Sequence, residues 1–551
     1  MTEHAGDLLF LPLGGAGEIG MNLNLYRYGG KWLMVDLGIT FGDDSTPGVD
    51  VIMPDPSYIV DLKDDLLGVV LTHAHEDHLG AVPYLWPRLR CPIYATPFTA
   101  AVLRRKLQEA DLEAEAEITE VPMSGTFELG PFAIELITLT HSIPEPNALV
   151  IRTPVGNVLH TGDWKLDPDP LVGPTTDEAA LRRVGEEGVL AMVGDSTNVF
   201  VSGESGSEAD VRESLTKLVA DLPNRVAVTC FASNIARLET LSRVAEANGR
   251  HAALVGRSLT RMVTAARQTG YLKDTPLFLG EEEAGFLPRD KVLMICTGSQ
   301  GERRAALSRI VEDSHPHVVL EAGDAVVFSS RIIPGNESAI GRLHNRLVER
   351  GVDVIDERDG LVHVSGHPAR DELAQMYQWI RPEIAVPVHG ESRHIVEHVR
   401  FAKQCQVPNA IAARNGTVIR LAPGPAEVVG EVQHGRLALD GDGLALLGAT
   451  ALRERKKIIW NGAAVATVVM DGKGRLAADP RVSLQGMIEA ATNGEVERQA
   501  AESAREAIDA LPKPKARDDE TVEDAVRRSV RRAVYDMYGK RPLTTVHVVR
   551  L

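Results

Sequence analysis

The segment His73-Ala74-His75-Glu76-Asp77-His78 gathers three imidazoles and the Asp77 carboxylate directly after the apolar run LLGVVLT. Imidazole nitrogen with carboxylate oxygen is the donor set of a catalytic zinc site, which keeps one position open for water. On a loop that ends a strand, His73 and His75 can face one ion while Asp77 and His78 face a second. A solvated polar turn is the competing reading, and the rigid apolar run before the cluster argues against it. Three further candidates stand at the ends of apolar segments: His141 after ELITLT, Asp163 in HTGDWKLD, and His389 after AVPV. Loops at strand ends present functional groups on a rigid scaffold. Any one of the three taken singly reads as structural; beside the 73–78 cluster they read as ligands, and the two oxygens of Asp163 suit a bridge. Two metals about 4 Å apart bring the pKa of a bound water toward about 7 and stabilise both attacking and leaving oxygens. Such a pair hydrolyses phosphodiesters, esters or amides, so the metals alone select no substrate.

The elements that must hold these groups are short. LLFLPL, NLNLYRY, KWLMVDLG, LLGVVLTH, CPIYAT, FAIELITLTH, NALVIRTP and GNVLHTGD are strand-like runs between glycine and proline turns, with helical AVPYLWPRLR and TAAVLRRKLQEADL among them. This mixture predicts an α/β fold. From Ser207 to Val354 the rhythm becomes successive βα units, which predicts a largely parallel sheet inserted into the first domain, because site-like histidines resume at 363–389. The expected division is 1–206 and 355–448 for the first domain, 207–354 for the insertion, and 449–551 for a linker and small α+β C-terminal domain. In the last of these, IIWNGAAVATVVMD and TTVHVVRL read as strands, and GEVERQAAESAREAIDAL and VEDAVRRSVRRAVYDMYG as helices.

Composition bounds the function without choosing it. The 551 residues carry 77 acidic against 59 basic side chains, a net charge of −18, which opposes loose whole-surface attraction to a polyanion. A locally positive groove and bound metal ions escape such a count. The four cysteines are scattered, against a disulfide framework and for a reducing cytoplasm. No apolar run reaches the roughly 18 residues of a membrane span, and the N-terminus lacks the basic region of a signal peptide.

HAHEDH, His141 and the TGD ending at Asp163 resemble the ligand order of the metallo-β-lactamase superfamily, and Asp36 in MVDLG matches its early supporting aspartate. Asp195-Ser196-Thr197-Asn198, His367 in HVSGH and His389 in PVHGE resemble the motifs of the nucleic-acid-processing β-CASP branch. LPLGGAGEIGMN, GVDVIMPD, CFASNIARLE, ICTGSQGE and IPGNE extend the resemblance to the bacterial ribonuclease J family over nearly the full length. The resemblance implies an αββα metallo-β-lactamase sandwich, an inserted β-CASP domain and a C-terminal domain for oligomerisation. It implies one zinc on His73, His75 and His141, a second on Asp77, His78 and His389, and Asp163 between them, with Mn²⁺ or Mg²⁺ as other occupants. Asp77 and His367 are the expected catalytic residues; His363, Val364, Ser365, Gly366 and His367 are the expected substrate contacts.

Ser233 and Asn234 are further substrate-contact candidates, with a helix N-cap as the equal alternative. Asp50 and Asp442 are candidates for an accessory calcium, against the simpler reading of a surface turn. Glu145 stands where the family has aspartate, and an altered hydrogen bond beside the ligands is expected there. The implied activity is a cytoplasmic 5′→3′ exoribonuclease with endonuclease activity on single-stranded RNA, acting in RNA maturation and decay, as a homodimer or homotetramer with RNA-decay partners. A DNA-processing β-CASP nuclease, a small-molecule hydrolase and an inactive RNA-binding scaffold are the competing readings. The basic stretch RRSVRRAVYDMYGKR is expected to be a solvated face or subunit contact before an RNA-binding one.

Overall fold

The computed structural model describes residues 6–43, 45–487 and 493–551. The chain forms two compact units, Met1–Thr40 with Val51–Arg436, and Phe41–Asp50 with Leu437–Leu551.

Two large sheets build the first unit. One has eight strands and runs from the edge strand Glu427–Glu431 through Leu8–Gly14, Lys31–Val35 and Leu66–Val70 to Ile118–Glu120. The other has seven, with Phe132–Thr138, Asn147–Thr153, Gly156–His160, Ala191–Asp195 and Ile384–Val388 adjacent in that order. Residues alternate faces along a strand. Leu8, Phe10, Tyr26, Leu33, Val35 and Val70 of the first sheet therefore meet Ile134, Leu136, Leu149, Ile151, Val158, Val193 and Val386 of the second in one core. The opposite face of the seven-stranded sheet buries Ile137, Val150, Leu159 and Met192 against Leu181, Val184, Leu373, Met376, Trp379 and Phe401 from helices Glu178–Glu187, Arg370–Ile380 and Ser392–Gln404. Strand Ala191–Asp195 is buried along its whole length, as a strand covered on both faces must be. The architecture is the expected αββα sandwich.

Strands Ala191–Asp195 and Ile384–Val388 are direct parallel neighbours, although nearly 190 residues of chain separate them. The chain leaves the sheet after Asp195 and returns at Ile384. Between these points lies a third sheet, of five strands, all parallel, in the order His251–Val255, Val292–Cys296, Val226–Thr229, Ala325–Phe328, Asp353–Ile355. Helix Glu208–Ala220 starts at Ser207, whose hydroxyl accepts from the Ala209 N–H, and helix Ile235–Ala247 starts at Asn234, which accepts from the Arg237 N–H.

In the second unit, strand Ala463–Met470 pairs antiparallel with Leu476–Gln485 and parallel with Leu543–Arg550. Its alternate residues Ala464, Ala466, Val468 and Met470 pack on Val496, Ala500 and Ala504 of helix Asn493–Asp509 and on Val522, Val526 and Val530 of helix Asp519–Tyr538. The apolar run IIWNGAAVATVVMD is divided: Ile458-Ile459-Trp460 finish helix Thr450–Asn461, and Gly462, at φ 71°, turns the chain into the strand. The basic helix buries its valine stripe, while Arg527, Arg528 and Arg532 pair along the surface with Glu523, Asp524 and Asp536. Three of its arginines are thus matched by carboxylates one turn away on the same helix.

Candidate metal centre

Parallel pairing gathers the chemistry at one edge of the sandwich. Val35 and Val70 are register partners, and just beyond their strands come Asp36 and His73. Asp195 is the partner of Val388, which places it beside His389, and the neighbouring strand Gly156–His160 leads to Asp163. His141 follows strand Phe132–Thr138. Asp36 and His389 both adopt left-handed backbone, at φ 63° and 49°, a conformation that side chains other than glycine hold only where surroundings enforce it. For His389 the restraint includes its N–H, which donates to the Gly15 carbonyl at 2.6 Å. Asp36 is fully buried and accepts from the Thr72 N–H at 2.8 Å, while its other oxygen lies 2.7 Å from His78 Nδ1. That carboxylate fixes the His78 ring and leaves Nε2 to face the cluster.

Three donor groups share Asp163: two contain the candidate ligands, and the third joins it to Asp195, His367 and His389. In the first, His75 Nδ1 lies 3.0 Å from both His73 Nε2 and His141 Nε2, and Asp163 Oδ2 lies 3.9 and 4.0 Å from the latter two. In the second, Asp163 Oδ2 lies 3.1 Å from His78 Nε2 and 3.6 Å from His389 Nε2, and Asp77 Oδ2 lies 3.6 Å from each of the same nitrogens. Seven side chains from separated sequence positions thus converge in two sets, and within each set the donor atoms lie within 4.8 Å of one another.

Three observations fit these sets to bound cations. Nitrogens on a single zinc at about 2.0–2.1 Å stand about 3.4 Å apart, close to the imidazole spacing here. Asp163 Oδ1 and His389 Nε2 are buried with no hydrogen-bond partner among the described residues. Burial pushes His73 and His141 well below the usual histidine range and His75 to about 4, so all three stay neutral, the form that binds metal. His78 goes the other way: burial opposes its charge, but Asp163, Asp77 and Asp36 outweigh it.

The 363–367 segment lies against this cluster. The Gly366 carbonyl accepts from His141 Nδ1 at 2.5 Å. A Cβ at Gly366 would stand 2.6 Å from the His141 ring, so the approach requires glycine. His367 stacks on His389 at 5.6 Å between ring centroids, and its Nδ1 lies 2.7 Å from Asp195 Oδ2. Burial opposes a charge on His367, but Asp195 and Asp163, the Asp195 hydrogen bond and Asp77 prevail and lift its pKa to about 9. Ser365 accepts from Asn198 Nδ2 at 2.7 Å, Val364 is buried, and His363 is held neutral by burial and by the charges of Arg237, Lys165 and Arg331. Arg237, itself fully buried, donates to the carbonyls of Ser329 and Val362 and pairs with Glu208, tying this segment to the five-stranded sheet.

Other candidates are placed differently. Asn234 is a buried helix cap, the alternative reading, and Ser233 is half-buried beside it. Glu145 accepts from the Phe98 N–H and the Tyr271 hydroxyl at 2.7 and 3.0 Å, so its extra methylene serves these neighbours. Among the described residues, neither Asp50 nor Asp442 joins a cluster of three metal-capable groups.

Sequence reasoning missed Asn22, in the GEIGMN segment. Its amide nitrogen donates to the Asp77 carbonyl at 3.0 Å, and the same amide lies against His389 Nδ1, its nitrogen at 2.9 Å and its oxygen at 3.1 Å. With the nitrogen committed to the Asp77 carbonyl, the oxygen is the group that accepts from Nδ1, which leaves His389 Nε2 free as a ligand. Asn22→Ala is expected to weaken metal binding about 10–100-fold, read by chelator competition on the purified protein. Unchanged affinity would remove Asn22 from the account. The signal was present only as polarity in an apolar stretch. The chain Ser196–His398–Tyr377, linked at 2.9 Å on each side of the imidazole, was equally hidden.

Comparison with known proteins agrees with this geometry. Residues 20–227 match the model of the metallo-β-lactamase superfamily, and 335–408 match that of the Zn-dependent metallo-hydrolase RNA specificity domain. Fold and site together define a metallo-hydrolase of that superfamily. Residues 223–347 match the ribonuclease J β-CASP domain and 450–551 the ribonuclease J C-terminal domain. The chain belongs to the ribonuclease J family: it is 46% identical to ribonuclease J of Sinorhizobium meliloti over 550 residues, covering 99% of this chain and 98% of that one. It is 36% identical to ribonuclease J 1 of Streptococcus pyogenes (96% and 95% covered) and to ribonuclease J of Thermus thermophilus (92% and 90% covered). Among solved structures, a protein of unknown function from Enterococcus faecalis V583 shares the fold at 15% identity and TM-score 0.53, over 75% of this chain and all of that one.

Proposed function

We propose that the protein hydrolyses RNA phosphodiester bonds with two zinc ions, trimming 5′→3′ and also cutting internally, and leaves a 5′-phosphate on the downstream fragment. The observation that carries this is the Asp163 carboxylate shared between two sets of donors, beside the segment that carries Ser365 and His367 and meets His141 through the Gly366 carbonyl. His73, His75 and His141 would hold one ion, Asp77, His78 and His389 the other, with Asp163 common to both. Bound there, the pair supplies the Lewis acidity that makes water a nucleophile near neutral pH and offsets charge on the phosphate. The nitrogen–oxygen donor set favours zinc over the harder Mg²⁺ or Mn²⁺.

The chain's own groups do the rest. His367 is held by Asp195 at 2.7 Å, beside carboxylates that favour its charged form, and is aimed to donate a proton to the departing 3′-oxygen. Asp77, about a third exposed and between His78 and His389, is set to accept a proton from the attacking water. Ser365 offers a hydroxyl, and Gly366 lets the backbone approach the substrate closely. Residues 1–206 and 355–448 form the hydrolase body, 207–354 the inserted wall of the RNA path, and 449–551 the oligomerisation domain. Trp460 and Ile459, exposed at 71% and 61%, support a homodimer or homotetramer. We place the enzyme in the cytoplasm with its RNA; no helix among the described residues is long and apolar enough to cross a membrane.

Digestion of 5′-monophosphorylated, 5′-triphosphorylated and DNA versions of one sequence by metal-replete protein tests the reading. Progressive loss of the monophosphorylated RNA from its 5′ end is the expected result. Equal cleavage of the DNA would instead make the enzyme a general nuclease.

A further inference from the structure

The rim of the site carries a cation that the mechanism above leaves unused. Arg331 follows strand Ala325–Phe328, in the turn Arg331-Ile332-Ile333-Pro334-Gly335, and is exposed. Its Nη1 donates to Asn198 Oδ1 at 3.0 Å. The amide of the same Asn198 donates to Ser365 Oγ at 2.7 Å and to the His367 carbonyl at 2.9 Å. Arg331 therefore stands one side chain away from the segment that meets the metal cluster.

Three features separate it from other surface arginines. Among the described residues no carboxylate pairs with it, whereas Arg237 and Lys165, the other cations acting on His363, are neutralised by Glu208 and Asp167. In a chain of net charge −18, an uncompensated guanidinium at the active-site rim is a local reversal of sign. The turn that carries it is also braced: the buried Gln300 donates to the Arg331 carbonyl at 2.9 Å and accepts from the Ile333 N–H at 2.9 Å and the Asn336 amide at 3.2 Å. An exposed guanidinium whose backbone is fixed and which is held through one N–H by Asn198 is preorganised for a bidentate anion.

We infer that Arg331 binds a backbone phosphate of the RNA next to the scissile one, and so sets the register of the strand over the metal centre. The inference rests on the proposed RNA hydrolysis. Asn198 links the two events: it orients the guanidinium through its oxygen and Ser365 through its nitrogen, so a phosphate seated on Arg331 is coupled to the group that faces the reacting one. Phosphate contacts fix orientation and carry no base preference, so a contact of this kind sets register without selecting sequence.

The test uses the full-length, metal-replete enzyme and a single-stranded 5′-monophosphorylated RNA. Arg331→Gln keeps an N–H donor for Asn198 but removes the charge; Arg331→Lys restores charge without the bidentate fork. For Arg331→Gln, KM is expected to rise about tenfold, and the slope of log KM against log salt to decrease by about 0.7, the value for one phosphate contact on a single strand. Arg331→Lys is expected to recover the slope and only part of the affinity. If Arg331→Gln lowers kcat while KM and the salt slope stay at wild-type values, Arg331 acts only by holding Asn198, and the inference is overturned. A thermal melt of each variant identifies loss of fold, and binding of the Arg331→Lys protein then decides. Failure of the wild-type protein to cleave the RNA would instead reject the proposed function.

Discussion

Asp163→Asn is expected to lower RNA cleavage by roughly 10³-fold or more and to release at least one ion. The residue is 3% exposed, and its Oδ2 lies within 4.0 Å of a nitrogen of His73, His78, His141, His367 and His389. Burial works against its charge, yet the surrounding imidazoles, His389 and His78 foremost, hold the carboxyl well below the usual range. Asparagine keeps the shape and replaces one oxygen with an N–H₂ group that repels a cation and has no lone pair to offer. The remaining ligands then face each other without the charge that offsets two dications. Single-turnover cleavage beside metal analysis of the same sample checks both statements. Wild-type turnover with two ions retained would mean that Asp163 does not bridge.

His367→Gln is expected to reduce turnover by about 10²–10⁴-fold while leaving two ions bound, because the two sets that hold the seven candidate ligands are complete without it; loss of an ion would instead assign His367 to the third group, with Asp163, Asp195 and His389. The glutamine amide can still donate to Asp195, so the loss isolates the proton rather than the position. His367 owes its pKa of about 9 to the prevailing field of Asp195, Asp163 and Asp77 against burial, and bound cations would draw that value down by occupying the same carboxylates. Since the protonated form is the donor, wild-type activity should fall as pH rises through the bound-state value, and that alkaline limb should vanish in the variant. An RNA with sulfur in place of the bridging 3′-oxygen leaves without protonation. Recovery of the variant on that substrate supports a general acid; an unchanged defect assigns His367 a different role.

The strands that carry the ligands were legible because each is an uninterrupted apolar run closed by a turn residue and a histidine or aspartate. LLGVVLT before His73 and AVPV before His389 need no tertiary information to be read this way. The three-residue apolar run before Asn461 was misread, since Ile458, Ile459 and Trp460 suit either element; the capping glycine Gly462, not hydropathy, decides the boundary. Strand Leu476–Gln485 escaped notice because Pro480 and exposed polar residues interrupt it at the sheet edge. In the site, ligands announced themselves by type, whereas the residues that aim them did not. Asn22 lies 367 positions from His389, and Arg331 lies 133 from Asn198; only folding supplies such pairs. Gly38 is another: a Cβ there would meet the Asp77 carbonyl at 1.7 Å, a constraint on the ligand loop that no local pattern reveals.

Anomalous diffraction at the zinc edge, from crystals of the purified enzyme, tests the account at its root. The expected map holds two peaks about 3.5–4 Å apart, one within bonding reach of His73, His75 and His141, the other of Asp77, His78 and His389, with Asp163 touching both. A map with no peak at these side chains, from protein that still degrades RNA, would contradict it.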